Sequence, residues 1–290
     1  MSLESLEDYI PLIDKELYNY DDLPEWYKDN EYILDNYRKW GLSCCDYTKS
    51  LFKLHNETFN IWTHLLGSLF FIFLLIYTNI AGIVNYPIGD AISINIYLLS
   101  VITCFTLSAI MHTYYPISQY VSKILVRLDY IGISLLILGS YGPYIYYAFY
   151  CQQTIQIIYY VLLNIFGLAT IFTTSLYKFQ QPSYRLYRAL IYVLLVFSVI
   201  VPIIHRIILN PLKQDNFIIE SDYYILSVFI YALAMLFFVS RVPERWFSNC
   251  SRCCISHQIF HLLTILAAFI TYYGIIETHN IARNITCNST

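Results

Sequence analysis

Residues 61–80 read IWTHLLGSLFFIFLLIYTNI, twenty positions without a charged side chain. At 1.5 Å of rise per residue, such a run makes a helix of about 30 Å, the thickness of a bilayer's hydrocarbon core. Hydrocarbon offers no water to bond backbone N–H and C=O groups, so a crossing segment must satisfy them internally. Six more apolar stretches follow, at about residues 91–114, 123–141, 154–176, 187–207, 223–240 and 257–276. Each is near twenty residues long and none alternates steadily, which favours helices over barrel strands. The least defined boundary follows residue 141, where Gly142, Pro143 and the next tyrosines fit either a continuing helix or a short exterior loop. The expectation is an all-α, seven-transmembrane helix bundle.

Composition agrees. Of 290 residues, 58% are hydrophobic and 13% charged, about half the charged share of an ordinary soluble domain. A net charge of −3 lacks the basic footprint of a nucleic-acid binder. The chain shows no internal repeat, glycine-rich phosphate loop or nucleotide fingerprint. The first 60 residues are polar and acidic, so the first apolar span is expected to act as the insertion signal itself.

Charge sets the orientation. With the amino terminus inside, Lys and Arg divide 14 inside and 3 outside, the outside ones being Arg206, Lys213 and Arg283. Without the amino-terminal segment the division is still eight to three, in the sense of the positive-inside rule. Seven crossings then put the carboxyl terminus outside, where Asn284-Ile-Thr and Asn288-Ser-Thr are acceptors for glycosylation. Cys44, Cys45, Cys250, Cys253 and Cys254 fall on the reducing side and Cys104 and Cys151 in or beside spans, so no secreted disulfide framework is expected. Only Cys287 belongs clearly to the exterior tail. Three regions follow: a cytoplasmic segment 1–56, a membrane domain 57–276 and an exterior tail 277–290. Acidic and aromatic residues interleave in the first, and about 23–56 is expected to form a short interfacial helix.

Ionisable groups inside spans are costly and usually have a partner or a task. His257 and His261 are four apart on one helix face at the start of the seventh span. Ser108 and His112 are four apart near the inner end of the second, and Asp129 lies in the first turns of the third. With the helix directions above, all five reach the same inner third of the membrane. Three imidazoles from two helices suit a zinc site with one open position, where a water would be acidified. Asp129 would orient that water or move its proton, and Ser108 would hydrogen-bond water or substrate. The plainer alternative is that these are packed histidines bonded to neighbours.

Other polar groups take plainer readings. Glu57, Asn60 and His64 share a face at the start of the first span, read as bracing between helices. His205 and Arg206 read as an interface anchor after a kink at Pro202, and Arg127 as a residue snorkelling to the lipid surface. The tyrosines of 141–150 suit an exterior aromatic belt. Cys250, Cys253, Cys254 and His257 form a compact cluster that offers a competing ligand set, but it sits in a short juxtamembrane loop, where lipidation or free thiols are at least as good a reading.

The blocks His55-Asn-Glu-Thr-Phe-Asn-Ile-Trp-Thr-His-Leu-Leu-Gly67, Ser108-Ala-Ile-Met-His112, Leu128-Asp-Tyr-Ile-Gly-Ile133 and Ser256-His-Gln-Ile-Phe-His261 resemble the progestin and adiponectin receptor family, which includes the haemolysin III-like proteins. The likeness runs from about residue 40 to 276 and leans toward the adiponectin-receptor branch. It implies seven helices with an interior amino terminus. It also implies Zn2+ held by His112, His257 and His261, with Ser108 and Asp129 beside it as catalytic residues and Asp129 holding the metal-bound water. The implied activity is zinc-dependent hydrolysis of ceramide or a related lipid amide, with a role in lipid signalling.

The alternative is a receptor for an exterior protein or lipid ligand, with a structural zinc. A transporter has less support, since no file of charges crosses the membrane outside the clustered site. The expected partners are membrane lipids, with homo-oligomerisation left open. The expected location is the plasma membrane or an endomembrane, endoplasmic reticulum or Golgi.

Overall fold

A computed structural model of the chain describes residues 17–81, 86–209, 218–247 and 252–282. Asn284, Asn288, Cys287, Cys250 and Lys213 lie outside the described residues.

From Cys44 onward the described chain is largely helical; before it lie irregular chain, a single 3-10 turn (Tyr20–Asp22) and an isolated bridge between Tyr18 and Tyr37. A short helix α1 (Cys44–Ser50) precedes α2 (Thr58–Ala81), α3 (Ile88–Tyr114), α4 (Gln119–Ala148) and α5 (Gln153–Ser175). After one turn, α6 (Tyr177–Gln180), come α7 (Arg185–Phe197), α8 (Ile200–Leu209), α9 (Ile218–Ser240) and α10 (Ser256–Ala282). Among the described residues, six helical segments are long and apolar enough to cross a membrane: α2, α3, α5, α7 with α8, α9 and α10. The chain is an integral, multi-pass membrane protein. The third expected span is α4, whose 30 residues make about 45 Å of helix. It carries Lys123, Arg127 and Asp129 in its first half and is therefore less apolar than the others.

The helix continues through Gly142 and Pro143, because the next turn still faces protein. This alters the reading of its tyrosines. Tyr141, Tyr144 and Tyr147 are buried, and the Tyr141 hydroxyl donates to the Leu195 carbonyl at 2.8 Å. They fill the core between helices and do not form a belt against headgroups. The kink expected near Pro202 appears as a break between α7 and α8, since proline leaves a carbonyl of the preceding turn without its N–H partner.

Packing runs α2 on α3, α3 on α4, α4 on α5, α5 on α7, α7 on α9, α9 on α10 and α10 back on α2. The helices thus close into a ring in chain order, with α3 also touching α10. Large apolar side chains on the outer faces, such as Phe73, Leu168 and Phe229, are exposed, as expected of a surface solvated by lipid.

The segment before α2 differs from the expected interfacial helix. Only α1 and a single 3-10 turn, Tyr20–Asp22, are helical, and Tyr18, Leu23, Tyr27, Ile33 and Tyr37 form a small aromatic core that includes Ile255. This cap sits over the α3 and α10 ends that carry the histidines. Arg38 fastens it, donating to the His112 carbonyl at 2.6 Å and the Thr113 carbonyl at 3.0 Å. Those carbonyls end α3 and have no partner within the helix.

Candidate metal centre

His112 lies in the last turn of α3, while His257 and His261 lie in the first two turns of α10. The opposite directions of the two helices bring a carboxyl-terminal end beside an amino-terminal one. His112 Nε2 is 3.2 Å from His257 Nε2, and His261 Nε2 is 3.2 Å from the same atom. All three rings have a ligand atom within 4.8 Å of the other two. Tetrahedral zinc with Zn–N bonds of about 2.0–2.1 Å sets its nitrogens about 3.3 Å apart.

The chemistry of the donors fits the same group. His112 Nδ1 faces Glu57 Oε2 at 2.7 Å, and His261 Nδ1 faces the Asn60 carbonyl at 3.1 Å. Both partners accept only, so each Nδ1 carries its proton and each Nε2 presents a lone pair to the centre. Converging lone pairs repel unless a cation lies between them. The His112, His257 and His261 group can therefore hold a metal ion.

Ser108, one turn before His112, and Asp129 of α4 line the same cavity as the three histidines. All five residues expected at one depth line this one cavity. The cavity measures about 830 Å³ and its wall is largely apolar, including Val193 and Val196 of α7 and Val228 of α9. That is toward the top of the roughly 300–1,000 Å³ typical of small-molecule sites. Buried Arg185 and Arg188 stand on its wall nearer the cap.

The bracing expected of Glu57, Asn60 and His64 is made through the clustered histidines. His64 lies flat on His261, with ring centroids 3.6 Å apart and planes 4° apart. Glu57 Oε2 accepts from His112 Nδ1 and from Asn60 Nδ2, both at 2.7 Å. Among the described residues, Cys253 and Cys254 do not join the histidine group and are free and exposed. His205 lies far away and bonds the Tyr159 hydroxyl at 2.8 Å, while Arg127 is exposed on α4.

A ring of helices enclosing three convergent imidazoles defines a multi-pass membrane protein with a histidine group that could hold a metal ion. The chain belongs to the haemolysin-III-related family, whose pattern matches residues 52–272. It is 36% identical over 262 residues to the progestin and adipoQ receptor-like protein 1 of Caenorhabditis elegans, covering 89% of this chain and 60% of that protein. It is 35% identical over 260 residues to the adiponectin receptor protein of Drosophila melanogaster, covering 89% and 59%. It is 34% identical over 273 residues to the heptahelical transmembrane protein 1 of Arabidopsis thaliana, covering 89% and 80%. The chain spans about three fifths of the length of the two animal relatives.

Proposed function

We propose that this chain is a zinc-dependent hydrolase of lipid amides of the ceramide class, acting from the cytoplasmic side of the membrane. The observation that carries the reading is the convergence of three imidazole Nε2 atoms, with Ser108 and Asp129, on the wall of a long apolar cavity. Zinc held there would polarise a carbonyl and acidify water. The apolar wall would take an acyl chain that enters between helices and present its amide to the centre. Asp129 would take a proton from the attacking water at its carboxylate and return it to the leaving amine as the C–N bond breaks. The Ser108 hydroxyl would fix the Asp129 carboxylate. The products are a fatty acid and a long-chain amine.

Redox chemistry supports the proposed orientation. Cys44, Cys45, Cys253 and Cys254 are free at the histidine end, whereas Cys151, beyond the far end of α4, is disulfide-bonded. Disulfides persist on the exterior side and thiols on the interior one, in agreement with the Lys and Arg division.

A second reading, a receptor with a structural metal, draws on the word "receptor" in the animal relatives' names and on one contact. The helices that share the histidine group are also joined at their other ends, where His279 Nδ1 of α10 lies 3.3 Å from Asp90 Oδ2 of α3. Metal content and lipid products of the purified wild type, His112→Ala and Asp129→Ala separate the two. Hydrolysis predicts that wild type carries zinc and cleaves ceramide, that His112→Ala loses both, and that Asp129→Ala keeps zinc while turnover drops at least about 100-fold. Zinc-loaded wild type that leaves ceramide and other lipid amides intact would sink the enzyme and leave the receptor.

A further inference from the structure

The ligand histidines are held from behind by one stretch of chain, the residues that lead into α2. Glu57 Oε2 accepts from His112 Nδ1 and from Asn60 Nδ2, both at 2.7 Å. Its other oxygen, Oε1, accepts from the Tyr115 hydroxyl and from Asn56 Nδ2, each at 3.2 Å. The carboxylate is thus aimed by three neutral donors, and its closest contact shared with α3 is a metal-ligand candidate. The two side chains are only 6% (His112) and 12% (Glu57) exposed, so water contributes little to their solvation. In such surroundings a cation held by three neutral imidazoles keeps its full charge, and the cost of that charge rises as the dielectric falls. Glu57, before α2, and Asp129, in α4, both line the cavity and would bring carboxylates to it.

We infer that Glu57 is a positioning residue of the metal centre. It fixes His112 as the Nδ1–H tautomer, turns the Nε2 lone pair into the site, raises that nitrogen's basicity and offsets the charge of the bound cation. This role rests on the metal-binding reading proposed above. It is distinct from a brace between α2 and α3, which would stabilise the protein equally with and without metal. Carboxylate partners of ligand histidines typically change metal affinity by about 10–100-fold when removed.

The test uses the full chain in detergent micelles or nanodiscs. Zinc affinity is measured by competition with a chelator of known affinity, the absorption of the Co2+-loaded protein is recorded, and melting is followed after metal removal. Glu57→Ala is expected to weaken zinc by about 10–100-fold and to shift the Co2+ bands. Glu57→Gln keeps a carbonyl for His112 Nδ1–H but no charge, and is expected to recover part of that loss. If Glu57→Ala does not fold, Glu57→Gln alone still has to bind zinc several-fold more weakly than wild type. Wild-type affinity and Co2+ spectrum in Glu57→Gln would overturn the role. So would a loss of metal-free stability with unchanged affinity, the mark of a brace. A wild-type protein that takes up no zinc overturns the metal centre itself, an outcome distinct from both.

Discussion

The imidazole of His55 sits under the cap as a neutral ring with both nitrogens engaged. Nδ1 accepts from the Glu57 N–H at 3.1 Å, so Nε2 carries the proton and donates to the Ser50 carbonyl at 3.2 Å. Burial and the Arg38 guanidinium push its pKa down to about 3, against a pull upward from Glu57. Its folded value lies below the unfolded value near 6.5, so the unfolded chain binds the proton more readily. The stability it contributes is therefore fully present above about pH 6.5 and is lost as pH falls toward the folded value near 3. One such proton makes stability fall by up to about 1.4 kcal/mol per pH unit in that window. Melting temperatures of wild type and His55→Gln between pH 7.5 and 4.5 test this, with the variant giving the flatter curve. Parallel curves would mean that His55 titrates in the folded protein as it does in the unfolded chain. Residues of this kind were legible in the sequence only in part. Spacing of four joins Ser108 to His112 and His257 to His261, and alternating helix directions bring both pairs and Asp129 to one depth. Spacing carries no information on which side chain of another helix faces His112 Nδ1, so the role of Glu57 waited for the packing of α2 against α3.

At the scale of elements, the start of α10 decides whether two of the three imidazoles are in place. Its first residue, Ser256, gives its backbone N–H to Glu244 Oε2 at 2.7 Å, and its hydroxyl to Oε1 of the same carboxylate. Glu244 also accepts from Asn30 Nδ2 of the cap at 3.0 Å. A buried carboxylate therefore satisfies the helix end, complements its positive dipole and ties it to the amino-terminal cap. Glu244→Ala is expected to lower stability by about 2 kcal/mol, the cost of losing hydrogen bonds to a charged group and leaving donors buried. Fraying of the first turn should also raise protease sensitivity on both sides of residue 256 and lower zinc retention through His257. Unchanged melting and proteolysis would contradict the capping role. None of this is readable from residues 241–247 alone. The broken fifth span was legible because Pro202 acts locally, through its own missing N–H. The cap was not, because its aromatic core assembles from residues far apart in sequence, Tyr18 and Ile255 among them. The inward turn of Tyr141, Tyr144 and Tyr147 was hidden for the same reason. A tyrosine-rich stretch looks alike whether it faces headgroups or neighbouring helices.

Across the whole molecule, ring closure makes the cavity a consequence of helix order. The cavity is lined by α4, α7 and α9 and reaches from the histidines to Val196 and Phe197 at the end of α7. Length and lack of charge made the membrane-crossing helices legible, but a void is a property of many packed surfaces and leaves no pattern in one. If that void receives the acyl chain of a lipid amide, its depth sets chain length independently of the metal. Val193 lines it two turns along α7 from Arg185, a distance of about 12 Å. Val193→Trp should therefore block the deeper part while leaving the histidines, Asp129 and Ser108 untouched. The expected result is normal zinc content and normal turnover of a short-acyl ceramide, with turnover of a long-acyl ceramide reduced about tenfold or more. An equal loss for both lengths would point to disturbance of the centre. No loss for either would place the chain elsewhere, along the lipid-facing grooves between helices, and would take from the apolar wall the part it has in substrate selection.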